Sequence, residues 1–200
     1  MTTTAFERPT SPTVDMKAND SDLKIRLQCV EDMFGQCFTR MRGYGMYCGA
    51  IHGLVRPMDV FSLLSHGSKD WRVSVAGPLV CLVESGTAPL FDLIAYIERG
   101  IFDLIYECVS VEGDSTQQKS IKQILAIKSE ENRRSAIEIR IAIAIADVAV
   151  LRLVPDVERS DVLERAENWL RVGLEYLGPD ALLIKRLRQD VETEALSPSA

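Results

Sequence analysis

The sequence has few of the residues from which active sites are usually built. It holds two histidines, His52 and His66, in 200 residues. Neither stands in a context that names it as a catalytic base. There is no GxSxG nucleophile elbow, no Walker A loop and no CxxC pair. Gly43 and Gly45 form a GxG, without the third glycine or the strand–helix setting of a dinucleotide site. Carboxylates are plentiful, yet no acid–base pair stands out. These gaps exclude the familiar hydrolase, nucleotide-binding and dithiol redox layouts.

Long apolar runs are also missing. No stretch approaches eighteen uncharged apolar residues, so no ordinary transmembrane helix is expected. The first 21 residues have no apolar h-region, few bases and several acids, and they read as neither a secretory signal nor a transit peptide. The formal net charge is −6, with acids and bases interspersed, which disfavours a general nucleic-acid or anionic-membrane surface. The best local basic cluster is Lys119, Lys122, Lys128, Arg133 and Arg134. Five cysteines, an odd number set mostly in apolar stretches, read as buried free thiols. An intracellular setting, cytoplasmic or nuclear, is therefore expected.

What the sequence has in quantity is helical periodicity. Hydrophobic content is 46% and charged content 26%, ordinary for one globular domain with a core. Residues 1–21, rich in Thr, Ser, Pro and Asp, read as a disordered tail, as do residues 194–200. Leu23, Leu27, Val30, Phe34, Cys37, Phe38 and Met41 recur at helical steps, predicting a helix over about 22–42. Gly45, Gly49 and Gly53 then lie four apart, giving either a smooth helix face for close approach or a flexible connector. Pro57 suits the first turn of a short helix ending near Gly67. Residues 71–84 read as a small β-hairpin turning at Ala76-Gly77-Pro78, or as a buried helical turn. A stripe from Leu90 to Cys108 predicts one long core helix carrying FDLI twice, at Phe91–Ile94 and Phe102–Ile105. Ser115 with Gln118 has the spacing of a capping box. Ser160 reads as the cap of a further helix, and Gly178-Pro179 as a break before the last one. The expected fold is mainly α: an irregular single-domain helical bundle over 22–193.

RSAIEIRIAIAIADVAVLRL, residues 134–153, carries a conflict of period. Ile137, Ile139, Ile141, Ile143 and Ile145 alternate as in a strand. The intervening alanines, the acidic start at Glu130-Glu131 and the sheer length favour a helix. On a helix, Arg133, Arg140 and Asp147 fall nearly in one line while apolar residues fill most of the circumference. Such a helix belongs in the middle of a bundle. The charged line is then either its narrow solvent edge or an ion-paired seam. With the glycines at 45, 49 and 53, it forms the candidate interaction surface.

Three short resemblances complete the reading. Cys29, Cys37, Cys48 and His52 resemble the CCCH zinc finger, whose last interval they match; the resemblance implies a tetrahedral zinc site and a nucleic-acid-associated regulator. The middle interval is longer than the family's, and on one helix Cys29 and Cys37 stand about 12 Å apart. Buried structural thiols without a cofactor are the expected state. Trp169–Tyr176, WLRVGLEY, resembles part of the tetratricopeptide repeat, with Val172 for Leu, but no second copy occurs about 34 residues earlier. Pro9-Thr10-Ser11-Pro12 resembles the P-[ST]-A-P peptide of viral matrix proteins, with Ser11 for Ala. Cys48 and His52, four apart, are also the candidate Cys–His pair of an enzyme. Against these alternatives, the leading expectation is a non-enzymatic helical accessory or regulatory protein. It would bind a protein partner, with self-association into a homo-oligomer and a viral accessory role both in view.

Overall fold

The computed structural model of the chain describes residues 48–86, 90–95, 97–112, 115–151 and 156–196. The expected helix over 22–42, the tail over 1–21, Cys29, Cys37 and Gly45 lie outside the described residues. The element order is α1 (Cys48–Gly67), α2 (Trp71–Glu84), a 3-10 segment (Leu90–Ala95), α3 (Arg99–Cys108), β1 (Val109–Glu112), β2 (Ser115–Gln118), α4 (Ile121–Leu125), α5 (Glu130–Ala149), α6 (Asp156–Tyr176) and α7 (Leu182–Leu196). The fold is a helical bundle with one small antiparallel hairpin, as the sequence predicts. Among the described residues, no helix is long and apolar enough to cross a membrane.

Residues 134–149 of the alternating stretch are helical. Ser129 caps α5 by accepting from the Asn132 amide at 3.2 Å, and Glu130 and Glu131 sit in the first turn beside the positive end of the helix dipole. All five isoleucines are buried, and so are Ala136, Ala142, Ala144 and Ala146. The alternation is therefore not a one-sided pattern; both of its phases face protein. α5 touches every other described helix. It forms the axis of the bundle.

The hairpin is not where residues 71–84 placed it. That segment is the helix α2, capped by Asp70, whose side chain accepts from the Arg72 amide at 3.0 Å. Every residue from Val73 to Val83 is buried. An apolar run with no polar face carries no period to read, and burial on all sides favours the structure that satisfies its own backbone. Pro78 lies inside this helix and Pro57 inside α1, which starts at Cys48 rather than at the proline. Each proline costs its helix one hydrogen bond, a loss borne by the packing around it. Gly77 lets the two helices meet: a Cβ there would lie 2.3 Å from Leu64 Cδ1 and 2.9 Å from Val60 Cγ1.

The hairpin instead follows α3 directly, with Val109 opposite Gln118 and Glu112 opposite Ser115. Ser115 and Gln118 are thus strand residues. The capping box belongs to Ser120 and Gln123, the same spacing five residues on, where the apolar Ile121 and Ile124 follow. The long helix expected over 89–110 is also interrupted. Its first FDLI lies on the 3-10 segment and its second on α3, which begins after an extended Glu98. Ser160 lies within α6, which starts earlier, at Asp156. Gly178, at φ +84°, makes the left-handed stop between α6 and α7. α7 runs on to Leu196, so residues 194–196 are helix rather than tail.

Candidate functional site: a buried ionic seam along the central helix

Of the line Arg133–Arg140–Asp147, Arg140 and Asp147 are ion-paired against neighbouring helices, and Arg133 is half-buried. Arg140 is 0% exposed, the largest fully buried side chain of the described residues. Its Nη1 lies 2.6 Å from Glu84 Oε1 at the end of α2. Its Nη2 donates to the carbonyl of Cys108, in the last turn of α3. Carbonyls there lack intrahelical donors and carry the negative end of the helix dipole, so a cation is well placed. One turn pair further on, Asp147 is held by Arg56 of α1, with Nη2 donating to Oδ2 at 2.8 Å and Nε 2.8 Å from Oδ1. The Nη2 contact is a charge-assisted hydrogen bond, and the Nε contact is an ion pair at that distance. At the other end, Arg133 Nη1 donates to the Ile127 carbonyl at 3.2 Å, and its guanidinium carbon sits 5.8 Å from the Tyr176 ring centroid.

The seam thus ties α5 to α1, α2, α3 and α6. Two of its cations are ion-paired, Arg56 with Asp147 and Arg140 with Glu84, while Arg133 meets a carbonyl and a ring. Burial works against the Arg56 charge, but Asp147, with Cys81 and Glu84 nearby, more than compensates and holds its pKa above the ordinary arginine value. Two smaller clusters flank α5. Ser68 donates to Glu138 Oε2 at 2.6 Å, and Arg134 Nε lies 3.6 Å from Oε1. Burial pushes the Glu138 carboxyl above its ordinary value, against the pull of Ser68 and Arg134. Arg72 bridges Asp70 and Glu131, each at 2.7 Å from its Nη2. Burial raises the Asp70 carboxyl, and the hydrogen bonds and charge of Arg72 outweigh it, so the net shift is downward.

The sequence pointed to Arg133, Arg140 and Asp147 but not to Arg56 or Glu84. A signal for Glu84 existed, since it is the first acid after the apolar run that begins at Val73. Arg56 has no such mark; only the approach of α1 to α5 reveals it. Cys48, Gly49, His52 and Gly53 lie in the first turns of α1. Among the described residues, no group of three or more His, Cys, Asp or Glu is arranged to hold a metal.

The basic cluster is divided by the fold. Lys119 donates to the Tyr106 carbonyl at 2.9 Å and lies 3.6 Å from Glu107 Oε2. Arg133 is in the seam and Arg134 pairs with Glu138, while Lys122 and Lys128 remain exposed. Trp169 of the WLRVGLEY stretch is a core residue, and α6 with α7 forms the helical hairpin expected there.

Cys81 and Cys108 border the seam as free, buried thiols. Burial pushes both up to about 12, with the nearby arginines pulling only weakly the other way. A thiolate is the reactive form, so both should be inert in the folded protein. Peptide mapping after iodoacetamide treatment at pH 8 is expected to show these two unmodified in native buffer and modified in denaturant. Native labelling of either would contradict the buried arrangement.

These features define a helical bundle whose axis carries an ion-paired seam centred on the buried Arg140. No protein-family model, curated protein or solved structure matches the chain.

Proposed function

We propose that this chain is a helical protein-binding module of the accessory or regulatory kind, acting without a cofactor and associating with a second copy of itself. The observation that carries the reading is the 3-10 segment. It has three residues per turn, so residues three apart stack on one side. Leu90 and Leu93 are buried in the core. Phe91 and Ile94, each 61% exposed, therefore form an apolar ridge turned outward. Scattered exposed apolar side chains need no explanation, but a phenylalanine and an isoleucine stacked on an anchored turn present a fixed apolar contact. The ion-paired interior supports the same reading, because it holds α3, against which the 3-10 segment packs. The free thiols Cys81 and Cys108 suit a reducing, cytoplasmic or nuclear, compartment.

Light scattering over a range of concentrations tests this. The native chain is expected to exceed the 22.3 kDa monomer mass, and the Phe91→Ser, Ile94→Ser double variant to return to it with unchanged helical circular dichroism. A native chain that stays monomeric at all concentrations would remove the self-association. A double variant that still self-associates would place the contact elsewhere.

A further inference from the structure

A small half-open cleft lies between β2, α5 and α6. Gln118, Arg140, Asp147, Val162, Arg165 and Trp169 are among its walls. Its volume is about 20 Å³, room for roughly one group slightly larger than a water molecule.

Several buried polar atoms around it have no hydrogen-bond partner among the described residues, and Arg140 Nε is one of them. Asp147 accepts from Arg56 Nη2 and stands 2.8 Å from Arg56 Nε in an ion pair. Arg140 places Nη1 against Glu84 and Nη2 on the Cys108 carbonyl. Its Nε is buried and has no acceptor among the described residues. A buried guanidinium N–H without an acceptor is costly, and the cavity beside Arg140 has space for one acceptor atom. Arg165, also in the wall, is exposed and adds a positive charge toward the open side. The two ion pairs are neutral together, so Arg165 tips the cleft toward negative ligands. A cation would meet two guanidinium groups there against the single Asp147 carboxylate, which Arg56 already pairs.

We propose that this cleft binds one small monovalent anion, either a halide or a single carboxylate of formate size. Arg140 Nε is the buried donor and Arg165 the attracting charge at the mouth. The site does not depend on the protein-binding role proposed above. It lies against the seam, so a bound anion would stabilise the fold as well as occupy the cleft.

Two experiments test it on the full chain. Crystals soaked in sodium bromide are expected to show an anomalous peak in the cleft, within hydrogen-bonding distance of Arg140 Nε. In solution, thermal unfolding at constant ionic strength is expected to show a saturable rise in Tm with chloride or formate, replaced against gluconate. Saturation with chloride would assign a halide site, and saturation with formate alone a carboxylate site. Arg165→Gln is expected to weaken the anion's apparent affinity about two- to fivefold, the range of one exposed charge, while leaving the anion-free Tm unchanged. A cleft holding only water together with no saturable effect of either anion would overturn the proposal. So would equal affinity in Arg165→Gln.

Discussion

Arg140→Ala is expected to lower the stability of this protein by about 3–5 kcal/mol, the usual cost of removing one partner from a buried ion pair. The loss has two parts. Glu84, whose side chain is 10% exposed, would keep a carboxylate near the core with its cation gone. The large volume of the arginine would become a cavity at the crossing of α2, α3 and α5. Urea unfolding should show the midpoint falling with little change in slope. A companion variant separates charge from packing. Arg140→Met combined with Glu84→Gln removes both charges and keeps most of the volume, and it should recover much of the loss. A shift below about 1 kcal/mol in Arg140→Ala would show the pair to behave as a surface contact. No recovery in the double variant would assign the loss to packing alone.

Gly173→Val is expected to cost about 1–3 kcal/mol through overpacking. Gly173 is where α6 meets both α5 and α7. A Cβ at this position would lie 2.2 Å from Ile184 Cδ1 and 2.6 Å from Ile141 Cδ1. Both isoleucines are wholly buried, so neither methyl has free space to enter. Gly173→Ala should cost less, because alanine's gain of about 1 kcal/mol in helix propensity offsets part of the clash. The expected order of melting temperatures is glycine, then alanine, then valine. An alanine variant more stable than the native chain would mean that the three helices can move apart at little cost.

Both predictions turn on details that a helical pattern does not carry. Periodicity was sufficient for α5, because its alanines, its acidic first turn and its length agree on one structure. It was sufficient for the helical hairpin at Gly178-Pro179, because a left-handed glycine is a local requirement. It failed where the local signal was ambiguous. Val73–Val83 is apolar but for Ser74, so hairpin and helix looked alike until the surrounding helices buried all sides. Ser115 and Ser120 both open an S-x-x-Q spacing, and only pairing with Val109–Glu112 makes the first a strand. The stripe from Leu90 to Cys108 looks continuous, yet an extended Glu98 divides it and turns Phe91 and Ile94 outward.

The sequence by itself determined that this is a bundle of helices with a charged line along the central one. Composition, period and capping are local properties, and they act on each segment before any contact is made. Only the tertiary structure decided what that line is. Arg140 finds Glu84 and the Cys108 carbonyl 56 and 32 residues away in the chain, and Asp147 finds Arg56 at a separation of 91. Whether a charge on an apolar helix faces water or an opposite charge depends on which helices pack around it. That choice is made by the shape of the whole core, with Gly77 and Gly173 setting how closely its helices meet.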